Sequence, residues 1–276
     1  MNAVAEKQQH AETELNRRDV TDTLVWTLLA IYAFPRILQV YPGRVPMLAV
    51  VALHVFSPAF FAVIHGARTY RLGGVLTFVA IALIVGNFFE YLGVRTGFPF
   101  GQYYFTDLMG PKLGVVPVML GLAYVGMAYL SWTLARIILG GMQSPLRGLR
   151  VVAVPVLASC IMVSWDFSQD PVWSTILHAW VWLHGGAYFG VPFTNFLGWF
   201  LTVYVIYQLF VVWLRRQSSS LSPLPANYWR MAVVFYGASA AGNLLLVLPQ
   251  HRYSEVTDVT GVRWSVSTIT QTCGAP

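Results

Sequence analysis

Between Thr23 and Gln250 the chain carries only four carboxylates: Glu90, Asp107, Asp166 and Asp170. Five of its eleven acids fall in the first 22 residues and the other two in the tail. An ordinary soluble surface needs about a quarter of the residues charged, whereas here 10% are charged and 57% are hydrophobic. The central region therefore belongs in a bilayer. The fold class expected is an all-α integral membrane protein, because a segment in lipid must satisfy its own backbone polar groups.

A helix needs about 20 mostly apolar residues to cross. Seven runs qualify: 24–40, 46–66, 72–89, 113–139, 150–166, 194–213 and 229–248. The first is short and contains Pro35 and Arg36. The segment "VWSTILHAWVWLH", 172–184, is apolar but too short to cross, and reads as an interfacial or re-entrant helix. The expected organisation is about seven transmembrane helices plus this short one. They form a single domain over 24–250, with a polar N-terminal segment 1–23 and a polar tail 251–276. Residues 1–22 lack the order of a signal peptide, so the first span is expected to be retained. The stretch "QSSSLSPLPAN", 217–227, reads as a loop.

The net charge of +6 does not point to nucleic acid, because the basic residues lie singly or in pairs between apolar runs. They act instead as topology signals. With the N-terminus in the cytoplasm, Lys7, Arg17, Arg18, Arg68, Arg71, Arg136, Arg147, Arg150, Arg215, Arg216 and Arg230 lie inside, and Arg36, Arg44, Arg95, Lys112, Arg252 and Arg263 outside. That is the bias the positive-inside rule expects. It suits a bacterial or archaeal cytoplasmic membrane. Whatever the orientation, the third and fifth spans run in the same direction. The segments after them, 90–112 and 166–193, therefore emerge on one face and gather the mid-chain carboxylates there.

Acids near membrane depth are rare and usually functional. Glu90 and Asp166 each close a span, so each is either a functional acid or a headgroup-level residue; for Glu90, Arg95 offers a plain surface partner. The functional reading is preferred for both, and a surface role for Asp107. Asp166 and Asp170 are four residues apart, so a continuing helix puts them on one face. Two close carboxyls do not both ionise easily, which makes a built-in acid. Pro171 disfavours helix at Asp170, and the alternative is that Asp170 caps a helix starting near Val172.

The same two segments are rich in aromatics. Candidate substrate-binding residues are Tyr91, Phe100, Tyr103, Tyr104, Trp165, Trp173, Trp182 and Tyr188, with Asn195 beside them. An interfacial belt accounts for some such residues. The functional reading is a pocket of π faces that steadies a cation. No His-x-x-His, His-x-x-x-His or Glu-x-x-His pair occurs, so a metal is not expected. His54 and His65 share a helix face but stand about 16 Å apart along it. The only lysines are Lys7 and Lys112, neither in the last span, which excludes a retinal Schiff base. Cys160 and Cys273 make no disulfide framework.

The strings "EYLGVRTGFPFGQYYF", "GPKLGVVPV", "WDFSQDPVW" and "WVWLHGGAYFGVPFTNFLGW", in that order over roughly 70–215, resemble the membrane-bound carotenoid biosynthesis family of carotenoid 1,2-hydratases, of the γ-carotene and bisanhydrobacterioruberin hydratase type. The resemblance implies cofactor-free addition of water to the terminal C1=C2 bond of an acyclic carotenoid end such as that of lycopene or γ-carotene. It also implies membrane lipid, the carotenoid and other enzymes of the pathway as partners. The residues fit this chemistry: Asp166 or Glu90 as acid, the other as base, and Asp170 tuning the first. An isomerase or cyclase acting on an isoprenoid end, or a carotenoid-binding or transport protein, are the alternatives.

Overall fold

In lipid, an apolar run has no water to bond its N–H and C=O groups, so it closes them on itself as a helix. The computed structural model describes residues 2–41, 46–141, 145–217, 224–248 and 254–274, with side chains from Val20 onward except Leu246. Arg44, Arg252 and most of the 217–227 loop lie outside the described residues, as do the side chains of Lys7, Arg17 and Arg18.

The helices, in chain order, are α1 (Asn2–Leu38), α2 (Met47–Thr96), α3 (Val118–Ile138), α4 (Arg150–Pro171), α5 (Phe193–Arg216), α6 (Ala226–Leu244) and α7 (Val266–Gly274). The strands are β1 (Tyr103–Phe105), β2 (Lys112–Leu113), β3 (Val116–Pro117), β4 (Trp180–Trp182), β5 (Glu255–Thr257) and β6 (Arg263–Ser265). They pair as three two-stranded antiparallel ribbons, β1–β4, β2–β3 and β5–β6.

Among the described residues four helical stretches are long and apolar enough to cross a membrane: α2, α3, Arg150–Ile176 and α5. α2 carries two of the expected runs, because Arg71 (φ 59°, ψ 169°) breaks it. The chain folds back there. A Cβ on Gly66 would lie 2.6 Å from Val75 Cγ2, a contact that a straight helix nine residues long cannot make. The remaining expected runs, 24–40 and 229–248, fall on α1 and α6, which are not among the four.

The expected short helix at 172–184 is corrected. α4 runs on past Asp166 through Pro171 and ends in a π-helical turn at Val172–Ile176. His178 then takes a positive φ of 54°, and Trp180–Trp182 becomes strand β4. The sequence Trp-Val-Trp alternates with a period of two, which suits a ribbon against Tyr-Tyr-Phe of β1 better than a helix.

α3 is the most enclosed helix, with Tyr124, Tyr129 and Trp132 fully buried. Gly126 lets it approach α2 closely, since a Cβ there would lie 2.7 Å from Pro58. At the end of the bundle away from the acids, His65 is a structural pin. Its Nδ1 bonds the Tyr129 hydroxyl at 2.8 Å, its Nε2 bonds Tyr228 C=O at 3.0 Å, and its ring stacks on Tyr228. Residues 254–274, a polar tail in the sequence reading, form the β5–β6 hairpin and α7, which rest against α4 and α6.

Candidate functional site

Glu90 lies one turn after Gly86 and one turn before Gly93 on α2. Both glycines make room for phenols. A Cβ on Gly86 would touch the Tyr124 ring at 3.1 Å, and one on Gly93 the Tyr103 hydroxyl at 3.0 Å. Tyr124 of α3 donates to Glu90 Oε1 at 2.6 Å, and Tyr103 of β1 donates to Oε2 at 2.5 Å. Burial, and then the charge of Glu90, push the Tyr103 hydroxyl well above its ordinary pKa, so it stays a donor at neutral pH. Glu90 is buried, and Arg95 stacks over the exposed Tyr91 ring at 5.4 Å.

Asp166 and Asp170 share one face of α4, as the continuing helix requires. Asn195, in the first turn of α5, donates from Nδ2 to Asp166 Oδ2 at 3.0 Å and to Asp170 Oδ2 at 2.6 Å. Two tryptophans complete Asp170: Trp180 Nε1 and Trp182 Nε1 donate to Oδ1 at 3.0 and 3.3 Å. Asp170 caps no helix; it belongs to the polar cluster. Pro171 is tolerated because the carbonyl it leaves without a helical donor, Phe167 C=O, accepts from the Tyr188 hydroxyl at 3.2 Å. Among the described residues the ion pairs are Arg68–Asp22, Lys112–Asp107 and Arg263–Glu255, so none of the three buried acids is in one.

The β1–β4 ribbon joins the two segments that sequence reasoning put on one face, with Tyr103 opposite Trp182 and Phe105 opposite Trp180. Alternation turns these four side chains towards the acids and leaves Tyr104 outside, 47% exposed.

Two cavities meet at the acids. The first, about 20 Å³, is lined by Glu90, Asp170 and Asn195 with Tyr103, Trp182 and Trp199. One water needs about 10–15 Å³ and at least two polar partners, and this cavity offers both. The second, about 70 Å³, is a slot walled by Trp165, Trp173, Trp180 and Trp199, with Asp166 on its side. Leu120, Trp180 and Trp199 line both.

The structure thus brings together Glu90, Asp166, Asp170, Phe100, Tyr103, Trp165, Trp173, Trp182 and Asn195. Tyr91 and Tyr104 are corrected: both point outward and line neither cavity. Tyr188 is corrected to a support for Phe167 C=O, since it too lines neither cavity. Asp107 pairs with Lys112 at the surface, away from the other acids. Sequence reasoning missed Tyr124 and Trp199, whose rings stack at 4.5 Å; Trp199 lines both cavities and Tyr124 bonds Glu90. Nothing local marks Tyr124 as more than a core aromatic; its one signal is Gly86, the small residue facing it.

A family model described as "Carotenoid biosynthesis protein" matches residues 45–250, a stretch that contains every acid of the cluster. The chain is 28% identical over 167 residues to the bisanhydrobacterioruberin hydratase of Haloarcula japonica, a match covering 56% of this chain and 54% of that one. The chain therefore spans about half the length of this curated relative. No solved structure matches.

Proposed function

The chain belongs to the carotenoid biosynthesis protein family, and on that premise we propose that it is a hydratase: it adds water across the terminal C1=C2 bond of an acyclic carotenoid end. The single observation that carries this reading is the pairing of a water-sized cavity between carboxyls with an adjoining aromatic slot that has its own carboxyl.

The hydrogen bonds suggest the roles. Glu90 receives two phenol donors and Asp170 three N–H donors, so both are dressed as acceptors. Asp166 receives one donor, on Oδ2, among the described residues, and faces the slot. In the proposed mechanism the end group occupies the slot and Asp166 gives its proton to C2. The π electrons form the new C–H bond and leave a tertiary cation at C1. The faces of Trp199 and Trp180, which wall both cavities, steady that cation. Water in the first cavity attacks C1 and passes a proton to Glu90, while Asp170 and Asn195 orient it. One C–H and one C–O bond form, and the π bond and one O–H bond are lost. The proton on Glu90 returns to Asp166. No electrons are exchanged, so the balance closes without a cofactor.

We further propose that α1 and α6 cross as well, giving seven passes with the N-terminus in the cytoplasm, and that lipid and the enzymes before and after it in the pathway are its neighbours. The test is expression in a lycopene-making host with mass analysis of the pigments. A product heavier by one water is expected. A product of unchanged mass would mean isomerisation or cyclisation, and unchanged pigment would mean a binding or transport protein; either sinks the hydratase reading.

A further inference from the structure

The turn of α4 that carries both aspartates has an incomplete backbone ladder. Pro171 supplies no N–H to Phe167 C=O. Val172 N–H donates to Gln169 C=O, three residues back, and a π-helical turn follows. Such a turn does not hold its own rotational phase as an unbroken helix does. Yet Asp166 and Asp170 both meet the same amide nitrogen on α5, so that phase is well defined.

A buried polar network flanks the acids, and Arg36, His54 and Gln169 of it line the slot beside Asp166. Asn243 of α6 donates from Nδ2 to Ser168 Oγ at 2.8 Å. Its Oδ1 accepts from Gln169 Nε2 at 2.6 Å and from the Arg36 guanidinium of α1. Gln169 Oε1 accepts from Trp173 Nε1 at 3.1 Å. Asn243 Nδ2, Gln169 Nε2 and Trp173 Nε1 each meet an acceptor, so turning over either amide would set donor against donor, while Arg36 Nε meets none among the described residues. Arg36 is buried, and it also donates to Ser239 C=O and to His54 Nε2, each at 3.0 Å. Asn243 is thereby anchored to α1 and α2 and does not follow α4. Ser168 and Gln169 stand between the two acids in the chain, so α4 is gripped within the very turn that its own ladder leaves weak.

We propose that Asn243 is a positioning residue for the acid pair, holding the broken turn of α4 through Ser168 and Gln169 so that Asp166 and Asp170 reach Asn195. The effect on turnover rests on the hydratase reading; the grip on α4 does not.

The experiment is backbone hydrogen exchange by mass spectrometry on the full chain in detergent, for Asn243→Leu and Gln169→Leu. Gln169→Leu leaves the Arg36–Asn243 bond intact, so it serves where Asn243→Leu does not fold. Exchange over 165–177 is expected to rise about tenfold, the weight of one buried hydrogen bond, with α3 unchanged. Turnover of folded Asn243→Leu is expected to fall by a similar factor at a KM held within about twofold; Gln169 lines the slot, so its variant is judged by exchange alone. Unchanged exchange over 165–177 in a folded variant overturns the proposal, and so does a rise spread equally over α3. If the wild type hydrates nothing, the hydratase reading fails, while the exchange data still decide this one.

Discussion

Replacing Tyr124 by phenylalanine removes one hydroxyl and leaves a ring of the same shape stacked on Trp199 at 4.5 Å. The hydroxyl lost is the donor to Glu90 Oε1 at 2.6 Å. A hydrogen bond to a charged group is worth about 1.5–3 kcal/mol. If Glu90 takes the proton of the attacking water, its misplacement is felt mainly in the transition state, and that energy corresponds to about a 10- to 150-fold loss in kcat. The walls of the slot are untouched, so KM should stay within about twofold. The assay is steady-state hydration by detergent-solubilised enzyme, with kcat and KM determined separately. Tyr103→Phe should behave alike. The double variant should lose less than the product of the two, because both hydroxyls act through one carboxyl. Full kcat in Tyr124→Phe, or a loss confined to KM, would refute the assignment of Glu90.

Asp166→Asn and Glu90→Gln should each cost about a hundred- to ten-thousandfold in turnover, the usual worth of a general acid or base, with circular dichroism and thermal midpoint near wild type; full activity in both would end the acid–base account. Asn195→Leu removes the donor shared by the two aspartates and should destabilise the chain by about 1–3 kcal/mol, seen as a lower Tm in detergent. At the far end of the chain, burial pushes Asp258 up. Hydrogen bonds from Thr260, Trp264 and the backbone N–H groups of Val262 and Thr260 outweigh it and hold the carboxyl below its ordinary pKa. Its hold on the β5–β6 hairpin is therefore fully present above the ordinary carboxylate value and lost as pH falls through the lowered one. Protection from hydrogen exchange over 254–265, taken relative to the intrinsic rate at each pH, should fall on acidification in the wild type but not in Asp258→Asn, and the same acid response in both would contradict it.

Particular residues show how far the sequence could be read. The scarcity of acid and the length of the apolar runs suffice for the membrane and for the helices, and the common direction of two spans anticipates the meeting of Glu90 with Asp166 and Asp170. The i, i+4 spacing of the aspartates is visible in the chain. The fact that helix persists at Asp170 is not, because it depends on Tyr188, from a later loop, satisfying the carbonyl that Pro171 strands. Tyr103 and Tyr104 are chemically equal neighbours. Only the pairing of β1 with β4, some 80 residues on, decides that the first faces Glu90 and the second faces outward. Tyr124 lies in an unbroken apolar run, where a phenol that bonds a buried carboxyl looks like any core ring. Arg71 likewise gives no sign in its residue type that it breaks α2.

The central claim is that a carboxyl cluster beside a buried aromatic slot adds water to an isoprenoid end. The most direct measurement is incubation of the purified chain with lycopene in oxygen-18 water, followed by mass spectrometry of the pigment. The account predicts a tertiary alcohol whose hydroxyl carries the heavy oxygen, formed by the wild type and absent with Asp166→Asn. Pigment recovered without the label, or labelled equally by both proteins, would contradict it.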